Sequence, residues 1–313
     1  MKKTRSSEKK GVFSVKVRGN VAVKERFYRL SLRLNGKGAL AFSQVIPGQF
    51  VEVSLCETAL PSVENIPDDL LDSSQRQIIL RRPFSFCDVE VTSQADVRIE
   101  ILYCVLGPAT LRMTTLAEGD RLSIIGPLGN GFSVPDGKKL ALLVAGGMGA
   151  PPLQHLAGYL KANFPKMRVV VFAGAKSVAD LPFSVQSSDK NGHGISEFTR
   201  FGIESYIATD DGSAGFQGVV TECADRWIKR NRPNAAETII YSCGPEQMLA
   251  EVAKLAAKHN IDCQVSMERM MACGIGVCQS CAVETRATGQ TETVYKLCCK
   301  DGPIFNGKDL VFE

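Results

Sequence analysis

Leu140-Ala141-Leu142-Leu143-Val144-Ala145-Gly146-Gly147-Met148-Gly149-Ala150-Pro151-Pro152-Leu153 opens as an unbroken apolar run and stops on glycines. Beyond the stop, Leu153, Leu156, Ala157 and Leu160 fall at i, i+3, i+4 and i+7, one stripe of a helix. A strand apolar on both faces, a glycine turn and a helix form the opening unit of a parallel sheet covered by helices. The alternation continues with strands over 168–172 and 205–208, a helix over 218–229, a strand over 238–242 and a helix over 246–258. Residues 184–200 are polar and read as a loop inserted into this unit.

The turn itself suits a phosphate, because unpaired N–H groups at a helix start point at an anion. It is not the standard dinucleotide fingerprint. From Gly147 it reads Gly-x-Gly-x-x-Pro, with Pro152 where the last glycine belongs. A purely structural tight turn is the competing reading. Tyr241-Ser242-Cys243-Gly244-Pro245-Glu246 ends a later strand, and ligands of open parallel sheets lie at the carboxyl ends of strands. Both turns then face one crevice, with Cys243 either a cofactor neighbour or a packed strand-end residue.

Upstream, to about Pro135, the period is two. Tyr28, Leu30, Leu32 and Leu34 alternate with Arg29, Ser31 and Arg33. The stretches 50–53, 97–101 and 122–124 repeat that pattern with one wet face. Pro47-Gly48, Gly107-Pro108 and Gly126-Pro127 separate them, which predicts an antiparallel barrel or sandwich. The acidic stretch 57–77 reads as a surface insertion. Arg81-Arg82-Pro83-Phe84-Ser85 offers a planar fork for phosphate and a hydroxyl for a ring nitrogen, although a solvated arginine pair is the ordinary reading.

Downstream, from about Ile261, the chain turns cysteine-rich. Five of the eleven cysteines lie between 273 and 299. Cys273-Gly274-Ile275-Gly276-Val277-Cys278-Gln279-Ser280-Cys281 has the Cys-x4-Cys-x2-Cys spacing of plant-type [2Fe–2S] loops, followed by Cys298 or Cys299 as a fourth thiolate. Gly274 and Gly276 permit the turns that make thiolates converge. Zinc sites favour paired Cys-x2-Cys knuckles, of which one is present, and His155, His193 and His259 all lie outside the loop. This short segment needs a staple other than a hydrophobic core. Cys56, Cys87, Cys104, Cys223 and Cys263 sit in or beside apolar segments and read as core or near-core residues.

Composition sets limits. The 313 residues suggest two or three domains, and no apolar run reaches the ~18–20 residues of a membrane-spanning helix. The net charge of +4 sits in the first ten residues, with five basic side chains against one acid. The body is neutral, so a nucleic-acid-binding face is not expected. The leader has no apolar segment of a secretory signal, and an odd cysteine count argues against a disulfide framework. A cytoplasmic protein with a solvated leader is expected.

Taken in order, Arg82-Pro83-Phe84-Ser85, Gly126-Pro127-Leu128-Gly129-Asn130-Gly131-Phe132, the glycine turn, Asp210-Asp211-Gly212-Ser213, Cys243-Gly244-Pro245 and the cysteine loop add up to more than each alone. Over roughly residues 12–310 the chain resembles the ferredoxin reductase-like flavoproteins, and more closely the electron transfer subunits of class 1B dihydroorotate dehydrogenases. That family ends in Cys-x-Asp-Gly-Pro-x-Phe, here Cys299 to Phe305, which selects Cys299 over Cys298 as fourth ligand. Beyond the basic leader (1–11), the resemblance implies an antiparallel FAD-binding β-barrel (12–135), a parallel α/β NAD-binding domain (136–262) and a small [2Fe–2S] domain (263–313).

It implies further that Arg82 meets the FAD phosphates and Ser85 the isoalloxazine N5, flanked by Pro83 and Phe84. Gly107 and Thr110 stand in the family's second phosphate turn, where Ala109 replaces a glycine. Gly146, Gly147, Gly149 and Pro152 would take the nicotinamide dinucleotide, and Cys243, Gly244, Pro245 and Glu246 would border the nicotinamide. NAD(H) supplies electrons in pairs and the cluster moves them singly, so FAD stands between them. The implied partner is an FMN-bearing dihydroorotate dehydrogenase catalytic subunit, in a heterotetramer of two plus two. Two alternatives stand beside this: the reductase subunit of an NADH-dependent ferredoxin:NADP oxidoreductase or sulfide dehydrogenase-like complex, and a non-catalytic module stapled by zinc. NADH against NADPH stays open, since the strand at 168–172 is not followed at once by the acid that favours a ribose 2′-OH, and Lys176 and Ser177 stand nearby instead; the resemblance favours NADH.

Overall fold

The computed structural model describes residues 10–93, 95–188, 192–286 and 292–312. Most of the expected leader, residues 1–9, lies outside that range. Seven antiparallel strands form the first sheet: β1 Gly11–Lys24, β2 Phe27–Asn35, β3 Phe50–Val53, β4 Arg82–Ser85, β5 Asp88–Ser93, β6 Asp96–Cys104 and β7 Arg121–Leu128. Their order is β4-β3-β7-β1-β2-β6-β5. The edge strands β4 and β5 are consecutive in the chain, joined by Phe86 and Cys87, and the Cys87 N–H donates to Glu100 O on β6 at 2.9 Å. The sheet therefore curls until its edges meet, and the expected barrel is a half-barrel with no ladder between β4 and β5.

The alternation of β2 holds, with Leu30, Leu32 and Leu34 buried in the core of the curl beside Val51, Val53 and Phe86. Strand β3 departs from the expected wet face. All four of its residues are buried, Glu52 included, because one face lines the curl and the other is covered by the C-terminal segment. Three short helices lie on this sheet: α1 Gly36–Phe42, α2 Leu71–Ser74 and α3 Pro108–Met113. The 57–77 insertion, which carries α2, is tied to α3 by Arg112, whose guanidinium donates to Ser74 O at 3.0 Å.

The second sheet follows the periodicity closely. Its parallel strands are β8 Leu140–Gly146, β9 Arg168–Ala175, β12 Glu204–Thr209, β13 Phe216–Gln217, β14 Thr238–Cys243 and β15 Asp262–Ser266. Helices α4 Ala150–Asn163, α6 Val220–Asn231 and α7 Glu246–Lys258 connect them. Every residue of β8 is buried, as strands covered on both faces must be. The order is β13-β12-β9-β8-β14-β15-β18, where β18 Ile304–Asn306 adds antiparallel to β15. The chain winds outward from β8 to β13, then crosses back through α6 to β14 on the other flank of β8. The switch point of the sheet lies between β8 and β14.

The polar stretch at 184–200 is more than a loop. It holds β10 Val185–Ser188, β11 Gly192–Ile195 and α5 Ser196–Thr199, and Ile195 and Phe198 are fully buried. Two apolar residues four positions or fewer apart anchor it, a signal too sparse to show as a period; residues 189–191 are outside the described range. Cys56 is also unlike its expectation, being exposed, while Cys87, Cys223 and Cys263 are buried and Cys104 is half-buried.

The C-terminal segment carries the hairpin β16 Ala282–Arg286 with β17 Thr293–Leu297, and α8 Cys298–Asp301. It is stitched to the half-barrel at Asn130. The Asn130 amide donates to Asp301 O at 2.9 Å and Ile304 O at 3.0 Å, and its Oδ1 accepts from the Ile304 N–H at 2.9 Å. Gly129 is required there: its φ is +71°, and a Cβ would stand 2.6 Å from Pro303 Cδ. The Gly126–Phe132 motif thus docks the cysteine-rich end on the half-barrel. Among the described residues no helix is long and apolar enough to cross a membrane.

Candidate functional site

The two glycine turns meet at the switch point. Strand β8 ends at Gly146, a single 3-10 turn spans Gly147–Gly149, and α4 starts with Pro151 and Pro152 in its first turn, where a missing N–H costs nothing. Strand β14 lies in register beside β8, Cys243 opposite Ala145. A Cβ on Gly149 would stand 2.0 Å from Cys243 O, and one on Gly146 2.5 Å from Met248 Sδ. The turns are thus packed backbone to backbone. Gly147 differs: its φ is +48°, and a Cβ there would meet nothing within 4 Å, so its backbone faces open space. That is the cradle a phosphate needs at a helix N-terminus.

Burial pushes the Cys243 thiol up to about 12, which keeps it protonated and unreactive at neutral pH. Pro245 precedes α7, and Glu246 opens it. The Glu246 carboxylate accepts both arms of Arg269 at 2.7 and 2.8 Å, and this pairing holds its pKa below the usual carboxylate range. Arg269 lies just before the cysteine loop, so this pair ties the crevice to that loop.

On the half-barrel, β4 runs antiparallel to β3, placing Arg82 opposite Val53, Pro83 opposite Glu52, Phe84 opposite Val51 and Ser85 opposite Phe50. All four are half-buried. The Arg82 guanidinium rests on Leu80 O at 2.8 Å and Arg81 O at 3.2 Å, interactions an incoming phosphate can replace. Gly107 caps α3. The Thr110 hydroxyl accepts from the Leu106 and Gly107 N–H groups at 3.0 and 3.3 Å, so it shapes its own turn. A Cβ on Gly107 would meet nothing within 4 Å. A groove of about 1160 Å³ passes beside this turn, walled by Val105 and Leu111 on one side and by Asn65 and Pro67 of the 57–77 insertion on the other.

The cysteine loop projects from the end of the second sheet toward β3. Gly274 and Gly276 hold φ of +66° and +86°. Its thiols interact in two pairs, Cys273 with Cys278 and Cys281 with Cys299. Cys273 Sγ accepts from the Val277 and Cys278 N–H groups at 3.4 Å each. Cys281 Sγ accepts from the Cys299 N–H at 3.4 Å. Cys298 faces elsewhere, its thiol donating to Met267 O at 3.3 Å. Among the described residues no three His, Cys, Asp or Glu side chains gather about one point.

The two pairs differ in surroundings. Cys278 is exposed and Cys273 half-buried, whereas Cys281 and Cys299 are buried. Hydrogen bonds with Ser280 and then Cys273 bring the Cys278 thiol down to about 6. Burial, then the neighbouring Cys281, pushes Cys299 up to about 12.

One residue at this site was not singled out by the sequence. Glu52 of β3 is 0% exposed, and neither carboxylate oxygen has a hydrogen-bond partner among the described residues. Its side chain lies against the cysteine loop, where a Cβ on Gly274 would stand 2.5 Å from both its Cγ and Oε1. Burial pushes its carboxyl up to about 7, against the pull of Arg81 and Arg82. The only signal was a charged residue inside an apolar run, and period two gave it the wrong face.

Residues 268–311 match the family model of the iron-sulfur cluster binding domain of dihydroorotate dehydrogenase B. The dihydroorotate dehydrogenase B (NAD(+)) electron transfer subunit of Caldanaerobacter subterraneus subsp. tengcongensis is 35% identical over 243 residues, 78% of this chain and 85% of the relative. That of Clostridium acetobutylicum is 32% identical over 298 residues, 95% and 96% of the two chains. Among solved structures, a chain of the NADH-dependent reduced ferredoxin-NADP oxidoreductase superposes with a TM-score of 0.70 at 24% identity, over 95% of this chain and 90% of that one. Phthalate dioxygenase reductase superposes with a TM-score of 0.52 at 13% identity, over 93% of this chain and 78% of that one. The structural likenesses show a ferredoxin reductase-like fold, and with identity above 30% along nearly its whole length the chain belongs to the family of dihydroorotate dehydrogenase B electron transfer subunits.

Proposed function

We propose that this chain relays electrons between an FMN-bearing dihydroorotate dehydrogenase catalytic subunit and NAD, in a heterotetramer of two plus two. Membership of the family implies FAD and an iron–sulfur cluster. The observation that carries the reading is the side-chain pairing of four thiols, Cys273 with Cys278 and Cys281 with Cys299. Two thiolates per iron suit a [2Fe–2S] cluster, whereas one zinc ion needs all its ligands about a single point.

The chain's own residues then have distinct tasks. Arg82 would release its carbonyl partners to hold the FAD phosphates, with the Gly107–Thr110 turn presenting N–H groups beside them. Pro83, Phe84 and Ser85 would line the isoalloxazine, Ser85 at its N5. Gly146, Gly147, Gly149 and Pro152 would cradle the nicotinamide dinucleotide, and Cys243, Gly244, Pro245 and Glu246 would border its ring. The protonated Cys243 thiol would pack there without competing as a nucleophile. When bound, FAD exchanges a hydride with nicotinamide and single electrons with the cluster. Nothing in this chain is assigned to dihydroorotate, whose oxidation belongs to the partner.

Anaerobic purification with co-expressed neighbours tests this. Flavin and iron–sulfur absorbance that bleaches on NADH addition, with an FMN-bearing subunit in the same peak, is the expected result. A colourless, zinc-only protein overturns it. A larger iron–sulfur flavoprotein in the peak moves the chain to a ferredoxin:NADP oxidoreductase-type complex.

A further inference from the structure

Glu52 is a buried acidic residue that the function above leaves unused. It sits in β3, between β4 and β7, opposite Pro83 on one side and Ile125 on the other. A buried carboxylate with no hydrogen-bond partner is costly, and a valine like its neighbours Val51 and Val53 would fill the strand without that cost. The nearest cations do not neutralise it by contact. Arg81 is spent on Ser123, whose O and Oγ it reaches at 2.8 and 2.9 Å, and Arg82 is spent on Leu80 and Arg81 carbonyls. On its other side lies the cysteine loop at Gly274, in a left-handed conformation with no room for a Cβ against the Glu52 side chain.

We propose that Glu52 is a positioning residue for the cysteine loop: its side chain seats the loop at Gly274 on the flavin half-barrel, and its carboxylate holds down the reduction potential of the cluster bound there. The physical reason is general. A fixed negative charge in a water-poor interface disfavours adding an electron nearby, and low dielectric lengthens its reach. The Glu52 side chain lies against the cysteine loop at Gly274, whereas its strand meets the Arg82–Ser85 segment through the backbone ladder at Pro83, so it biases the cluster more than the flavin. This rests on the cluster assignment above. A wild-type protein lacking iron and sulfide would refute that assignment, whereas the experiment below compares variants only after wild-type protein is shown to hold a cluster.

The test uses the co-purified complex at pH 8.5, with cluster and flavin potentials read by EPR- and absorbance-monitored titration. Glu52→Gln keeps the shape and removes the charge. It should raise the cluster's reduced-to-oxidised ratio at fixed potential on the order of tenfold, which is ~59 mV for a one-electron couple. The FAD potential should move much less. Glu52→Asp retains the charge and should stay near wild type. An unmoved cluster potential in Glu52→Gln, or an equal shift of cluster and flavin, overturns the proposal. So does an Asp variant shifted as far as the Gln variant. If Glu52→Gln loses the cluster while Glu52→Asp keeps it at wild-type potential, the charge is needed and the proposal stands; if both lose it, Glu52 is only a packing element and the proposal falls.

Discussion

The nucleotide crevice and the cysteine loop are both glycine-framed, yet they are held in opposite ways. At the crevice, two adjacent parallel strands bring Gly149 and Cys243 into backbone contact, so the turn is shaped before any ligand arrives. Among the described residues the cysteine loop has no ladder beneath it. It rests on side chains from elsewhere: Glu52 under Gly274, Lys300 under Gly276, and the sulfur-directed N–H groups of its own backbone. One site is built by secondary structure, the other by tertiary contacts and the thiols themselves. A regular sheet can bind and release a diffusing cofactor without reorganising, whereas a loop of this kind is completed by a resident group.

The largest expected break in that comparison is at the adjacent cysteines. Cys299→Ser should abolish cluster retention and Cys298→Ser should spare it, read as iron and acid-labile sulfide per chain. Equal loss in both would show that Cys298, now bonded to Met267 O, is recruited. Next comes the crevice. Gly149→Ala drives a Cβ into the Cys243 carbonyl and should cost about 3 kcal/mol in denaturant unfolding. Gly147→Ala meets open space and only its positive φ opposes it, so about 1 kcal/mol is expected with a raised KM for the nicotinamide cofactor. If the two variants were equally stable, the crevice would be no more preformed than the cysteine loop.

The smallest effect concerns the link between the two sites. Glu246→Gln removes a half-exposed, two-armed pair with Arg269 and should cost about 1 kcal/mol at neutral pH. The pH sign follows from the depressed carboxyl. The folded protein binds this proton less readily than the unfolded chain, so the contribution is complete above the unfolded pKa of ~4.3 and fades as pH falls through the lower folded value. Urea midpoints of wild type and variant should therefore differ at pH 7 and converge as the pH drops below 4.

The helical stripe after Gly149 and the apolar runs at 140–146 and 238–243 were legible because period and length are local properties. The cysteine spacing was legible for the same reason, and the order of motifs led to the family that the relatives bear out. Elsewhere local pattern misled. Phe50 to Val53 was read with one wet face, because nothing nearby tells that a distant loop covers it. The hairpin and short helix within 184–200 were missed because Ile195 and Phe198 are the only strongly buried apolar residues among those described there. The half-barrel read as a barrel because closure depends on which edges pair, not on any one strand.

The sequence by itself determined the parallel sheet, the turns at its carboxyl end, the cysteine spacing and the family, since each is written in neighbours along the chain. Only the tertiary structure decided that Asn130 stitches the half-barrel to the cysteine-rich end and that Glu52 lies buried beneath Gly274. Those are contacts between residues far apart in the chain. Burial, charge and reach there depend on how the half-barrel and the nucleotide sheet close on each other, and no local period records that.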